Sequence, residues 1–596
     1  MRSNRIAHIW VWCVASVALC ANAQDATIYH HGVVAADHAQ ASEAGARILE
    51  LGGNAVDAAV ATSFALSVVR PQSCGIGGGG FMVIALAGQG DEAARVVALN
   101  YRETAPAAMG PDYFEKLGDV PEASTHTGHA IGVPGTVVGL LHALETYGTL
   151  DRATVMAPAI ELARDGFVVD RALYKSARDK RAWFEEEGYR SERHRYFWER
   201  YVREGALEED RLLTNPAQAR ALQIISDEGL EGWREKIAPS VVAAVAGAGG
   251  RMTLDDVRSY ELQTLEALRG SFMEYDVYTM PPPSSGGMAL LQVLGLIERA
   301  RAAVDPGFEP VEYSLLLIEA FKHAFADRAR WLADGVDVSH LLEDAYLDDL
   351  SSRIEIGRTF KPEHYGSSPQ LSEDSGTSHI SVIDRFGNAV ACTETINLAF
   401  GSKIAVEEFG FFLNNEIDDL TTISGEQNAY GLVQSDANLP SPGKRPLSSM
   451  TPTIVLDEDG EVVCVAGGSG GPRIITGTIQ VVLNVLLQGH DARAAVDAPR
   501  LHHQWIPDRV LAEESEVHSF VRCTPRGPTP LEGAGHRVGK LTASRAVQAI
   551  ARHPEGGYTA SSDYRKGGAP AGPDPERMSE MGVQHVREKA GTVQER

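Results

Sequence analysis

Apolar and polar positions alternate most regularly between Thr377 and Thr395. In T-S-H-I-S-V-I-D at 377–384, His379, Ser381 and Ile383 fall on one face and Ile380, Val382 and Asp384 on the other. That is the period of a β-strand. Arg385-Phe386-Gly387-Asn388 reads as a tight turn and 389–395 as the return strand. Further strands are expected over 81–87, 96–100, 453–457 and 462–466, and 409–419 reads as a strand ending in acids. Helical spacing covers 37–70, broken at Gly52-Gly53-Asn54, with an alanine-rich second half at 55–69. It returns at 136–147, through most of 150–263, and at 288–299, 311–334 and 474–488. On 311–334, Lys322, His323, Asp327 and Arg328 read as the polar face, and the charges of 178–203 as solvated.

Two glycine clusters interrupt this pattern. Cys74-Gly-Ile-Gly-Gly-Gly-Gly80 precedes a strand and lacks the Lys-Ser/Thr of a phosphate loop, so it predicts close backbone approach. Gly467-Gly-Ser-Gly-Gly-Pro-Arg473 follows a strand and opens a helix, where backbone N–H groups can hold an anion or an oxyanion.

The 596 residues exceed a single simple core. Hydrophobic residues at 44 % and charged residues at 22 % are ordinary for a soluble globular chain, and the net charge of −26 argues against nucleic acid as a partner. Arg2 and Arg5, the apolar run 6–20 and Ala21-Asn22-Ala23 form a signal segment, 1–23, with the mature chain starting at Gln24. No later run reaches the length of a membrane span, so an exported protein, periplasmic or secreted, is expected. Cys74, Cys392, Cys464 and Cys523 remain after the signal, without metal-like spacing. Cys392 and Cys464 sit in apolar strands as small buried residues, and a disulfide is left open. The polar stretch 355–375 reads as an exposed linker, and the chain from about 561 as a disordered tail.

The linker ends at Gly376, directly before Thr377. A cut between them would give Thr377 a free α-amine with a pKa near ~8, placing a base and a hydroxyl nucleophile on one residue. Taken alone, the stretch reads more simply as a hairpin with an ordinary strand threonine. Arg102, at a strand end, suits a carboxylate clamp or a surface ion pair.

Seven motifs together resemble the gamma-glutamyltransferase (gamma-glutamyltranspeptidase) family. They are G-G-G-G-F-M at 77–82, Y-R-E-T-A-P at 101–106, P-P-P-S-S-G-G at 281–287, T-S-H-I-S-V-I-D at 377–384, N-N-E-I-D-D at 414–419, K-R-P-L-S-S-M-T-P-T at 444–453 and G-S-G-G-P-R-I-I at 468–475. The resemblance implies an α+β N-terminal-nucleophile hydrolase fold, a four-layer αββα sandwich. It also implies self-cleavage into 24–376 and 377–596, which remain associated. Thr377 becomes the nucleophile, Thr395 positions it, and Gly470 and Gly471 hold the oxyanion. Arg102, Ser448 and Ser449 are implied to bind the substrate α-carboxylate, and Asn397, Glu416 and Asp419 its α-ammonium. Tyr430 sits in a lid-like loop. The implied substrates are glutathione and related γ-glutamyl compounds, with water, an amino acid or a dipeptide as acceptor and no metal or organic cofactor.

The chain departs from the family pattern at Ser378, Glu416 and 469–472, and beyond Phe520 the match fades except for S-S-D-Y-R at 561–565. Two alternatives are a cephalosporin (glutaryl) acylase on the same scaffold and an uncleaved, silent binding homologue.

Overall fold

The computed structural model of the chain describes residues 26–88, 93–120, 122–186, 192–302, 310–366, 376–424, 435–513, 529–541 and 546–578. The signal segment, linker residues 367–375, Tyr430 and Cys523 lie outside them. Thirteen strands build the two large sheets: β1 Gly32–Ala36, β2 Gly79–Leu86, β3 Arg95–Asn100, β4 Gln263–Glu266, β5 Leu268–Phe272, β6 Tyr275–Thr279, β7 Gly376–Asp384, β8 Ala389–Asn397, β9 Thr453–Leu456, β10 Val462–Ser469, β11 Ala546–Arg552, β12 Tyr558–Ser562 and β13 Ala569–Ala571. The first sheet has seven strands in the order β13-β1-β7-β8-β2-β3-β4, the second six in the order β12-β11-β10-β9-β6-β5. Every neighbouring pair in both is antiparallel.

The helices that cover these sheets are α1 Ala39–Glu50, α2 Ala55–Val69, α3 Thr136–Tyr147, α4 Arg152–Asp165, α5 Ser285–Ala302, α6 Pro310–Trp331 and α7 Arg473–Gln488. The sheets pack face to face through Val33, Phe81, Val83, Ile383 and Ala391 on one side and Ile454, Leu456, Val465 and Ile550 on the other. The opposite face of the first sheet, with Ile380, Val382, Val390 and Met82, packs under α1 to α4. The outer face of the second, with Val455, Cys464 and Ala549, packs under α5 to α7. The result is helix, sheet, sheet, helix: the αββα sandwich.

β7 and β8 are central and buried along their whole length, so both faces of the alternating hairpin are used. Asp384 fixes the turn: Oδ1 accepts from the N–H groups of Phe386 at 2.7 Å and Asn388 at 3.0 Å. Its Oδ2 accepts from Ala55 N at 2.9 Å, tying the hairpin to the start of α2. α2 is buried on every side, as its alanines allow, and begins in a capping box made by Asn54 and Asp57. The four-glycine run lies against neighbouring backbone. A Cβ on Gly78 would sit 2.1 Å from Thr395 O, and one on Gly77 2.2 Å from Phe412 O.

Residues 26–366 supply β1 to β4 and β5 to β6, whereas 376–578 supply β7, β8 and β13 to the first sheet and β9 to β12 to the second. Both sheets are therefore shared between the two halves of the chain. Among the described residues no helix is long and apolar enough to cross a membrane. Cys74, Cys392 and Cys464 are buried and free.

Three expectations need correction. The tail from about 561 is ordered through Met578. Ser561 and Ser562 close β12, β13 pairs with β1, and Asp563 is buried on Arg500 at 2.8 Å. The 409–419 stretch is strand only at Phe411–Phe412 and ends in a 3-10 turn at Glu416–Asp419. There the Asn414 side chain replaces the ladder, donating to Gly77 O at 2.8 Å and Gly132 O at 2.9 Å.

The described part of the linker, 355–366, is exposed or half-buried throughout, as expected, and is pinned at two points: Thr359 N donates to Ala534 O and Trp505 Nε1 to Pro362 O, both at 2.9 Å. Finally, Lys322, His323, Asp327 and Arg328 are buried. Lys322 lies 3.3 Å from Glu319 and 3.6 Å from Asp508 and bonds to Thr359. Asp327 accepts from Gln292 at 2.7 Å and Tyr346 at 2.8 Å, and Arg328 Nε donates to Ser285 Oγ at 2.9 Å. Lys322, Asp327 and Arg328 thus find partners on other elements, while His323 packs against the rings of His364 and Tyr365.

Candidate active site

The register of β7 on β8 sets Thr377 directly opposite Thr395. Both side chains lie on the face that looks between the sheets, two positions from His379 and Thr393. Those two bond to each other at 2.7 Å. Burial pushes the His379 imidazole down to about 3, so it is neutral and serves packing, with Gly467 of β10 against its ring.

Thr395 is saturated. Its Oγ1 donates to Gly376 O at 2.7 Å, accepts from Asn397 N at 2.8 Å and lies 3.2 Å from Thr377 Oγ1. With its proton on the carbonyl, the Thr395 oxygen accepts from the Thr377 hydroxyl. A break in register after Thr395 lets Asn397 adopt φ +71°, a conformation asparagine tolerates. Its Nδ2 donates to Asn415 O at 3.0 Å, linking the end of β8 to the acidic 3-10 turn.

A narrow cleft opens beside Thr377. It is lined by Arg102, Thr377, Thr395, Asn397, Glu416, Asp419, Ser448, Ser449, Met450, Gly471 and Ile474. Nine of the eleven residues singled out in the sequence thus share one cavity wall. Gly470 is adjacent in the chain, and Tyr430 lies outside the described residues. Met450 and Ile474 are additions that flank predicted residues and carried no polar signal.

Arg102, just past the end of β3, is fully enclosed. Its Nη1 bonds to Glu416 and its Nη2 to Asp419 at 2.7 Å, with Glu103 at 3.7 Å. Its Nε donates to Pro446 O at 3.2 Å, so it also braces the chain entering Ser448 and Ser449. That loop is held from the other side. Ser285 N and Oγ donate to Ser448 O at 2.7 and 2.6 Å, and Ser284 Oγ donates to Met450 O at 2.6 Å. The P-P-P-S-S-G-G segment is therefore the support of the serine pair.

One guanidinium faces three buried carboxylates. Burial opposes the charge on Arg102, but Glu416, Glu103 and Asp419 together hold its pKa above the usual guanidinium value. Burial pushes Glu103 up to about 8 against the pull of Arg102, and pushes Glu416 well above the carboxylate range. Three carboxyl groups thus compete for one guanidinium, and an ammonium entering the cleft would draw Glu103 and Glu416 back toward the charged form.

Across the cleft, Gly470 at φ +131° and Gly471 at φ +56° turn β10 into α7. Gly471 and Ile474 bring the positive N-terminal end of this 16-residue helix to the cavity. Behind Thr377, on the side away from Thr395, Lys566 Nζ donates to Thr377 O, contacts Asp37 Oδ2 at 2.5 Å and reaches Ser469 Oγ at 3.2 Å. Sequence reasoning missed Lys566 and Asp37. The only available sign was the S-S-D-Y-R motif that ends one residue before Lys566.

The family profile described as gamma-glutamyltranspeptidase matches residues 41–572. The chain is 38 % identical over 545 residues to the glutathione hydrolase proenzyme of Escherichia coli (strain K12), covering 90 % of each chain. Among solved structures, a cephalosporin acylase from Bacillus halodurans superposes with a TM-score of 0.78 at 24 % identity, over 95 % of this chain and 100 % of that one, a likeness of fold. The gamma-glutamyltranspeptidase of Helicobacter pylori matches at 33 % identity and a TM-score of 0.50, over 55 % of this chain and 93 % of that one.

Proposed function

The chain belongs to the gamma-glutamyltranspeptidase family, and from that premise we propose that it transfers and hydrolyses γ-glutamyl groups, glutathione among them, with a nucleophile made by its own cleavage between Gly376 and Thr377. The observation that carries this reading is Thr395 Oγ1, 2.7 Å from Gly376 O and 3.2 Å from Thr377 Oγ1. In the cleavage step Thr377 Oγ adds to the Gly376 carbonyl carbon, and the Thr395 hydroxyl stabilises the developing oxyanion. The C–N bond breaks as the nitrogen takes up a proton, leaving an ester on Thr377. Water hydrolyses the ester to a Gly376 carboxylate and a free Thr377 amine. The pieces 24–376 and 377–596 stay together because they share both sheets.

In turnover the Thr377 amine takes the proton from Oγ as it attacks the γ-carbonyl, and later gives it to the leaving amine. Gly470 and Gly471 N–H groups hold the tetrahedral oxyanion, each such donor being worth roughly 2.7–4 kcal/mol. The glutamyl ester then passes to water, an amino acid or a dipeptide. The substrate head is a zwitterion. Its carboxylate takes Arg102 with Ser448 and Ser449, and its ammonium takes Glu416, Asp419 and Asn397, so the ligand inserts into the existing ion pairs. The sequence of 1–23 supports export to the periplasm or medium.

A glutaryl side chain lacks the ammonium and would leave the excess of carboxylates unanswered. Hydrolysis of γ-glutamyl-p-nitroanilide is therefore expected to exceed that of glutaryl-p-nitroanilide by at least about 100-fold in kcat/KM. Equal rates would favour an acylase. A rise in p-nitroaniline release on adding glycylglycine would identify transfer alongside hydrolysis.

A further inference from the structure

We infer that Lys566, balanced by Asp37, sets the basicity of the Thr377 α-amine and is thus a positioning residue for the nucleophile; this rests on the reading of Thr377 as a chain terminus. β1 pairs with β7 only as far as Ala36 opposite Ile380. Beyond that point the open edge of β7 is taken by Lys566, which reaches the Thr377 carbonyl from the 563–568 turn. Standard backbone dimensions put the nitrogen of the same residue within about 6 Å of that ammonium.

Lys566 is nearly enclosed, with its side chain 14 % exposed, and Asp37 is fully buried, so their fields are weakly screened. Asp37 is itself fixed by Gln548 Nε2 on Oδ1, and by Arg70, whose Nη2 donates to Asp37 O at 2.7 Å. The other titratable and charged groups facing this pair and the Thr377 terminus are Arg70, which also donates to Lys566 O; Cys74, whose thiol faces Ser378 beside Glu394; Glu394 itself, next to Thr395 on β8, opposite Ser378 and pushed up to about 7 by burial; and the Arg102, Glu416 and Asp419 set of the cleft.

A cation this close disfavours the protonated amine and keeps it available as a base near neutral pH. The counter-charge on Asp37 limits the effect. The two residues therefore pull in opposite directions, which a role in packing alone does not produce.

The acid limb of kcat/KM for γ-glutamyl-p-nitroanilide reports the base in the free enzyme. In Lys566→Met the limb is expected to move up by about one pH unit, since the cation is gone and Asp37 remains. In Asp37→Asn it is expected to move down by about half a unit or more. Lys566→Arg should keep the limb in place. N-terminal sequencing is run first on the wild type. Absence of a terminus at Thr377 there is a failure of the underlying reading, not of this one. With that terminus present, a limb unmoved in Lys566→Met, whatever its rate, overturns the inference. If Lys566→Met accumulates uncleaved, the Asp37→Asn profile decides: a downward shift supports the inference, and an unmoved or raised limb overturns it.

Discussion

Thr377→Ala is expected to remain a single chain and to lose γ-glutamyl turnover by at least about 10⁴-fold. The two effects have one cause. Without Oγ nothing attacks the Gly376 carbonyl, so no amine is released. Without Oγ, too, no glutamyl ester can form. The fold should be unaffected, because Thr395 keeps its bonds to Gly376 O and Asn397 N, and the β7–β8 register does not depend on the lost hydroxyl. Thr377→Ser retains a hydroxyl and a potential amine on one residue and is expected to cleave, more slowly. A denaturing gel and an anilide assay check both. A Thr377→Ala protein that still turns over substrate would assign the chemistry to another residue.

Asp419→Asn should have the second largest effect, and of a different kind. Asp419 lies 2.7 Å from Arg102 and lines the cleft, and at 8 % exposure its charge is little screened. Removing one partner of a buried charge pair costs about 2–5 kcal/mol. The corresponding loss in kcat/KM is at least about 30-fold and about 400-fold at the centre of that range. Most of it should appear in KM, because the ammonium is held equally in the ground and transition states. Self-cleavage should proceed normally, since no zwitterion is involved. Kinetics on the anilide with and without the substrate amine separate these terms. A uniform fall in kcat with KM unchanged would remove Asp419 from the donor site.

The hairpin was legible because a period of two is a local property, and Gly387-Asn388 marks its turn. Its consequence, Thr377 against Thr395, follows from the register alone. The cleft was legible only through family motifs, since Arg102, Glu416 and Ser448 come together through the packing of β3, the 3-10 turn and the Ser284–Ser285 loop. Periodicity misread α6. Lys322, Asp327 and Arg328 sit at polar-face spacing, yet the partners that bury them, Thr359, Asp508, Gln292 and Ser285, are remote in sequence or on another helix. Composition misread the C-terminal region for a related reason. Glycine and charge suggested disorder, whereas Asp563 and Lys566 are held by Arg500 and Asp37. A charge run signals solvent only until its counter-charges are located.

N-terminal sequencing of purified, active wild-type protein shows whether Thr377 is a chain terminus. Two termini are expected, one of them reading Thr-Ser-His-Ile from Thr377. Active material in which the Gly376–Thr377 bond is intact would contradict that reading.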